Sequence, residues 1–262
     1  MHPFFRVARP QAFAHRGGGG LAPENTFAAF DAGLAHGADG IELDVHLSRD
    51  GVVVVHHDAT VDRTTDRSGA IGDFTAADLE RVDAGYQFSR DATFPFRGQG
   101  IGVPTLAAVL ARYRDTRVII EMKQDEPALA RATVRIVREA GAVDRVCLGA
   151  FGWRVLRTAR ALEPDIASGA SKLEVRWALW RSRIGWPIRR AGYHGYQVPE
   201  ISRGRRVVSP RFVAHAREAG LPVQVWTVDR VEDARRLLGW NVDALITDRP
   251  DVIVPLVGRT FA

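Results

Sequence analysis

GIELDVHLSRDGVVVVHHD, residues 40–58, is the stretch on which the reading of the chain turns. Glu42, Asp44 and His46 alternate with Ile41, Leu43, Val45 and Leu47, the two-residue period of a β-strand. Asp50-Gly51, flanked by apolar-rich runs, signals a tight hairpin and a returning strand. A turn of those two residues alone pairs Asp44 with His57, whereas a turn of Ser48–Gly51 pairs Glu42 with His57. Both registers put His57 on the carboxylate face and His56 on the other, because a two-residue slip preserves the face. Paired Cβ atoms stand roughly 5 Å apart, so an imidazole would lie beside two acids. A strand that is polar on one face can simply be solvated there. Further reactive residues at other strand ends favour a site instead.

The chain has 262 residues, 46% hydrophobic and 26% charged, which suits a large globular core. No apolar run reaches the roughly 18–20 residues that span a bilayer, and MHPFFRVARPQAF lacks the apolar region of a secretory signal. The single cysteine, Cys147, sits in an apolar run and reads as an inert buried thiol in a reducing compartment, so a cytoplasmic location is expected. The net charge is +5, and all but two of the 36 basic residues are arginine, the lysines being Lys123 and Lys172. Such a balance favours anionic partners such as phosphate esters or acidic lipid headgroups. No zinc spacing, RNP-like motif or basic heptad array marks a nucleic-acid module.

Working outward, Phe13-Ala14-His15 ends a short strand and Arg16 with Gly17–Gly20 forms a turn. Pro23-Glu24-Asn25-Thr26 is expected to open a helix with the stripe Phe27, Phe30 and Leu34. Residues 59–104, rich in Asp, Arg, Thr and Gly, read as an insertion after the second strand, with a short helix over Ala76–Val82. Thereafter short apolar strands (118–122, 146–149, 166–169, 196–198, 223–226, 244–246) alternate with amphipathic helices, which means a parallel sheet. The strand count and length favour a closed (β/α)8 TIM barrel forming one domain over 1–262. An open doubly wound sheet would need a G-x-G-x-x-G turn, and Gly17–Gly20 lacks that spacing.

A barrel carries its chemistry at the strand C-termini. There the chain places His15 and Arg16, then Glu42 and Asp44 with His57, then Glu121 and Lys123, then Trp226 and Asp248. Glu42, Asp44 and Glu121 offer oxygen ligands and no thiol, which selects Mg²⁺ or Ca²⁺ over zinc, and the mutual repulsion of three carboxylates favours one such divalent cation, with an ion network of Arg and Lys as the alternative. His15 and His57 can divide acid and base duties. Arg16 offers a bidentate donor for phosphate and Lys123 a point charge. Trp226 is either a wall for substrate or barrel packing.

The motifs Ala14-His15-Arg16-Gly17, Ala22-Pro23-Glu24-Asn25-Thr26, Gly40-Ile41-Glu42-Leu43-Asp44-Val45 and His57-Asp58 together resemble the glycerophosphodiester phosphodiesterase family. So do Arg63-Thr64-Thr65, Pro104-Thr105-Leu106, Glu121-Met122-Lys123, Val225-Trp226-Thr227-Val228 and Ile246-Thr247-Asp248-Arg249-Pro250. The resemblance covers nearly the whole chain. It implies a barrel with a small insertion after strand two, and hydrolysis of a glycerophosphodiester to an alcohol and glycerol 3-phosphate, within lipid and glycerol metabolism. It also implies metal ligation by Glu42, Asp44 and Glu121, acid/base catalysis by His15 and His57, phosphate contacts by Arg16 and Lys123, and a glycerol contact by Trp226. Asp229 departs from the family, where Asn is common after Thr-Val.

The resemblance leaves 171–193 unexplained. Leu173, Trp177, Trp180 and Ile184 share one narrow helical stripe, with Lys172, Arg176 and Arg183 to its side. The stripe either packs on the sheet, or forms a lid or a peripheral membrane contact that would favour lysophospholipids, a lysophospholipase D-type activity. Lys123 as a Schiff-base lysine in an aldolase is the remote alternative, opposed by the acids around it.

Overall fold

The computed structural model describes residues 2–7 and 10–258. Met1, Ala8, Arg9 and residues 259–262 lie outside them, and with them parts of the N-terminal stretch and of the domain bounds read from the sequence. Short runs form β1 (Gln11–Ala14), β2 (Gly40–Leu47), β3 (Val53–Val55), β4 (Arg117–Met122), β5 (Val146–Gly149), β6 (Ala167–Ser168) and β7 (Tyr196–Pro199), with β-branched residues concentrated in β3 and β4. A small ribbon of β8 (Ile201–Ser202) and β9 (Arg205–Arg206) precedes β10 (Val223–Trp226) and β11 (Ala244–Thr247). The helices are α1 (Phe27–Ala35), α2 (Ala76–Glu80), α3 (Leu106–Arg112), α4 (Pro127–Glu139) and α5 (Trp153–Leu162). They continue with α6 (Lys172–Ile184), α7 (Pro210–Glu218), α8 (Val231–Gly239) and α9 (Pro250–Ile253).

The strands pair in the order β6-β5-β4-β2-β1-β11-β10-β7, with β3 antiparallel to β2. The two edges of this sheet meet. Gly169, just past β6, bridges in parallel to Gly195, just before β7, where the His194 N–H donates to Ser168 O (2.8 Å) and the Ala170 N–H to Gly195 O (3.0 Å). Eight parallel strands closed on themselves make the (β/α)8 barrel that the sequence predicts. Among the described residues no helix is long and apolar enough to cross a membrane.

Strand alternation sorts the core. Ile41, Leu43, Val45, Val118, Ile120 and Met122 pack outward with helix residues such as Leu106 and Leu156. Each such fully buried side chain contributes about 2 kcal/mol. Phe13, Ile119, Cys147 and Ile246 fill the interior together with Phe4 and Phe5 from the N-terminal turn. The polar positions of β2 therefore face the inside of the barrel, not solvent.

The hairpin differs from both expected registers. Val45 pairs with Val55 and Leu47 with Val53 across a five-residue loop closed by Ser48 N–H to Val52 O (2.9 Å). His56, not His57, thus stands across from Asp44, its N–H donating to Asp44 O (3.0 Å). On a continued strand this one-residue shift would turn His57 away from the acids. It does not, because the strand stops at Val55, whose N–H goes to Pro104 O (2.9 Å). His46 Nε2 then donates to the His57 carbonyl (3.1 Å), holding the turned-out segment.

Residues 59–104 interrupt the alternation. Ile71, Leu79, Val82, Ala84 and Val103 build a small core with Val54 and Val61. The expected helix to Val82 ends at Glu80, and Val82 enters that core instead. The expected helix opening at Pro23 also moves: α1 begins at Phe27, with Thr26 Oγ1 accepting from the Ala29 N–H.

Candidate active site

β2 and β4 set the acids. Asp44 is level with Glu121 and Glu42 with Ile119, so the inward face carries Glu42, Asp44 and Glu121 together. One oxygen from each lies within 4.8 Å of the others. Glu42 is 5% exposed and Asp44 2%, which excludes the solvated-strand reading. Burial, aided by Asp44, pushes the Glu42 carboxyl above its usual range, and burial likewise raises Glu121.

Each acid is gripped by neighbours. Asn25 Nδ2 donates to Asp44 Oδ2 (2.9 Å), and the Asp44 N–H donates back to Asn25 Oδ1 (3.2 Å). This clasp needs Asn25 at φ +58°, a left-handed conformation that Asn tolerates, which is why the helix cannot start before Thr26. The Arg16 N–H donates to Glu42 Oε2 (3.0 Å) from a residue at φ +51°. The next residue, Gly17, has φ +88°, and a Cβ there would fall 2.6 Å from the Phe30 ring, so only glycine fits. Lys123 Nζ lies 3.3 Å from Glu121 and 3.4 Å from Asp44; burial opposes its charge, but the two acids outweigh it and raise its pKa.

Two histidines flank the acids, each held by an aspartate. His15 Nδ1 donates to Asp248 Oδ1 (2.8 Å), leaving Nε2 3.8 Å from Glu42. Burial disfavours the charged ring, but Glu42 and the Asp248 hydrogen bond prevail and raise its pKa to about 9. Asp248 is itself placed by Asp229, whose Oδ1 accepts from the Asp248 N–H (2.8 Å) and from Thr247 Oγ1 (2.9 Å). Both bonds need only an acceptor oxygen, so the Asp229 departure keeps the local hydrogen bonding. His57 Nδ1 donates to Asp58 Oδ1 (2.7 Å), and burial, with Lys123 and Arg16, lowers its pKa.

A chain of charges ties the two sides. Arg16 Nη1 donates to Glu24 (2.8 Å), Glu24 accepts from both Arg63 terminal nitrogens (2.7 and 2.8 Å), and Arg63 Nε donates to Asp58 (2.6 Å). The far wall is Trp226, Phe151 and Gln197, with the Phe151 and Trp226 rings edge to face at 6.0 Å. The interior Cys147 thiol accepts from Gln197 Nε2 (3.1 Å), and burial pushes its pKa up to about 12.

All eight predicted site residues, His15, His57, Glu42, Asp44, Glu121, Arg16, Lys123 and Trp226, line one cavity. The donor set suits a hard cation: two buried carboxylates, one half-buried carboxylate and no thiol, with burial opposing the charge on Glu42 and Glu121. The buried Arg16 Nε, without a hydrogen-bond partner, adds an unused donor beside Asp44. Sequence reasoning assigned nothing to Asn25, Glu24, Asp58, Arg63, Phe151 or Gln197, and left Asp248 without a task. The visible signal was Asp58 directly after His57. Asn25 and Arg63 become legible only in three dimensions.

Residues 15–252 match the family described as the Glycerophosphoryl diester phosphodiesterase family. The chain belongs to that family. A glycerophosphodiester phosphodiesterase of Caldanaerobacter subterraneus is 34% identical over 252 residues, covering 94% of this chain and 97% of the relative. Among solved structures, a glycerophosphodiester phosphodiesterase of Agrobacterium tumefaciens has 30% identity and a TM-score of 0.77, over 94% of this chain and 99% of the other. An Oleispira antarctica phosphodiesterase, solved with the product sn-glycerol-3-phosphate, has 28% identity and a TM-score of 0.78, over 94% and 96%. The chain is thus an enzyme of the phosphodiesterase family, and the resemblance read from its motifs holds.

Proposed function

We propose that the cavity hydrolyses glycerophosphodiesters to an alcohol and sn-glycerol 3-phosphate, with one divalent cation and the histidines His15 and His57. The carrying observation is the convergence of Glu42, Asp44 and Glu121 within 4.8 Å, in a cavity also lined by His15 and His57. The relative solved with sn-glycerol-3-phosphate supports the product.

Glu42, Asp44 and Glu121 would hold the cation, which when bound supplies positive charge against the phosphoryl oxygens. Arg16 and Lys123 add fixed positive charge on the same side, their side chains braced by Glu24 and by Glu121. Asp248 and Asp58 each accept from Nδ1, so each histidine keeps Nε2 for proton transfer. One takes the proton of the nucleophile, water or the substrate's neighbouring hydroxyl, while the other protonates the leaving alcohol. Trp226 and Phe151 offer an apolar wall for glycerol carbons. The insertion acts with the barrel as one domain in this reading, because its Arg63 reaches Glu24. The inert Cys147 thiol fits a cytoplasmic setting.

An ammonium gripped by two acids is a poor Schiff-base nucleophile, so the aldolase alternative loses its footing. A second reading, lysophospholipase D-type hydrolysis, is favoured by one observation: the exposed aromatic stripe of α6 begins at the cavity rim, where the Lys172 N–H meets Phe151 O (3.4 Å). The test is release of glycerol 3-phosphate from glycerophosphocholine and related diesters with Mg²⁺, Ca²⁺ or chelator. Turnover that ignores EDTA, or no release from any headgroup, would sink the proposal.

A further inference from the structure

The helix after β6 is built inside out. Val175, Ala178, Leu179 and Ser182 face the barrel, where Val175 and Leu179 pack on the cluster that contains Ala178, Val208 and Phe212. The opposite stripe is open to solvent: Leu173 is 50% exposed, Trp177 56%, Trp180 45% and Ile184 53%. Packing of this stripe on the sheet, one of the options read from sequence, is excluded. Trp186 extends it past the helix end at 55% exposure, its ring 6.0 Å from that of Trp180, which is 5.7 Å from that of Trp177. The stripe from Leu173 to Ile184 runs roughly 16 Å along the surface at 1.5 Å per residue.

Charge surrounds it. Lys172, Arg176 and Arg183 line one side and Arg181 the other, with Arg189 and Arg190 just beyond. Between 172 and 190 six cations face one acid, a surplus of five that equals the net charge of the whole chain, +5. The one acid, Glu174, is committed to Arg160 of α5 (2.8 Å), so it does not quench the helix cations. The rest of the molecule is neutral in sum. An apolar stripe of indoles and aliphatic chains within a basic rim is the composition that lies in the headgroup region of an anionic bilayer.

We propose that α6 and the following residues through Arg190 form a docking surface for a membrane of acidic phospholipids. A second copy of the chain is the poorer occupant, since a two-fold interface would set this basic rim against itself. The placement relative to the site adds purpose. The first turn of α6 bonds to the backbone of Phe151, and Phe151 lines the cavity beside Trp226. A bilayer lying along α6 therefore meets the cavity at its Phe151 edge. A lysophospholipid could offer its phosphodiester there while its acyl chain stays in lipid. That substrate assignment rests on the phosphodiesterase reading above, whereas docking does not.

The experiment is co-sedimentation of the full chain with phosphatidylcholine vesicles, with and without phosphatidylglycerol, at low and high salt. Hydrolysis of water-soluble glycerophosphocholine is measured alongside. Binding is expected only with phosphatidylglycerol and should fall with salt. The double variant Trp177→Ala/Trp180→Ala should lower the bound-to-free ratio about 10-fold or more. Arg176→Gln/Arg183→Gln should lower it about 30-fold on acidic vesicles. Both should keep glycerophosphocholine turnover and lose hydrolysis of vesicle-borne lysophospholipid. Should the tryptophan variant misfold, the arginine variant decides alone. Absence of binding to acidic vesicles at low salt overturns the proposal, as does wild-type binding by both variants. So does a dimer in solution that the tryptophan variant disperses, which would hand the face to a second copy. Vesicle binding without turnover of any soluble diester would sink the reading of the site and leave docking standing.

Discussion

In the cavity, charges are locked to one another: Arg16 to Glu24, Lys123 to Glu121 and Asp44, His15 to Asp248, His57 to Asp58. Along α6, Lys172, Arg176, Arg181 and Arg183 crowd one helix whose single acid is turned to another. The difference follows from burial. A charge out of water must be paired or it is expelled, so the barrel mouth holds its acids only with cations beside them. A charge in water needs no partner, and a row of them projects a field on whatever approaches. One region fixes geometry and the other sets long-range attraction. Substitutions should separate the two.

The largest effect is expected at the acids. Glu42→Gln keeps the shape and removes one of three converging charges. Release of glycerol 3-phosphate should fall about 10³-fold, with no loss of thermal stability, because burial already opposes the Glu42 charge. Mg²⁺ or Ca²⁺ should raise the melting temperature of the wild type and not of this variant. Equal stabilisation of both would mean that the ion binds elsewhere. Next come the histidines: alanine at His15 or His57 should lower kcat about 10²-fold or more with the circular dichroism spectrum unchanged. Near-normal turnover in either removes that residue from the mechanism.

The barrel and its converging acids were legible because a parallel barrel buries both faces of each strand. Alternating acids in β2 then had nowhere to go but inward. The hairpin was not legible in detail. Asp50-Gly51 suggested a turn of two or four residues, yet Ser48 Oγ donates to Asp50 (2.6 Å) and accepts from the Val52 N–H (3.0 Å), stabilising a five-residue loop. His57 was placed correctly for an incomplete reason: it reaches the site by leaving the strand. The Asn25 clasp and the Glu24–Arg63–Asp58 chain were hidden because they join residues from separate segments through side-chain geometry that no periodicity records. The α6 stripe was legible as a pattern, but its direction depended on packing partners that only the fold supplies.

Asp58 tests the geometric side more finely. Asp58→Ala leaves His57 without the acceptor for Nδ1 and should lower kcat about 10-fold with KM little changed, since positioning rather than binding is lost. Vesicle binding should not move. A KM effect that outweighs the kcat effect would reassign Asp58 to substrate contact.

The smallest effect separates paired charge from unpaired charge by pH. Glu24, four-fifths buried in its side chain, sits between Arg16 and Arg63, and although burial opposes its charge these partners hold its pKa at about 2, below the ordinary value of 4.5. A depressed carboxylate stabilises the fold fully above its unfolded value and loses that contribution as pH falls toward the folded value. Glu24→Gln should therefore cost about 1 kcal/mol at pH 7, a modest figure because the half-exposed Arg63 is screened by water. The gap between variant and wild type should narrow below the ordinary carboxylate range and close near pH 2, as followed by urea unfolding across that range. Arg183→Gln on α6 should stay within about 0.5 kcal/mol of the wild type at every pH. A gap at Glu24 that never opens at pH 7, or that persists unchanged on acidification, would mean that Arg16 and Arg63 are not what holds this side of the cavity in place.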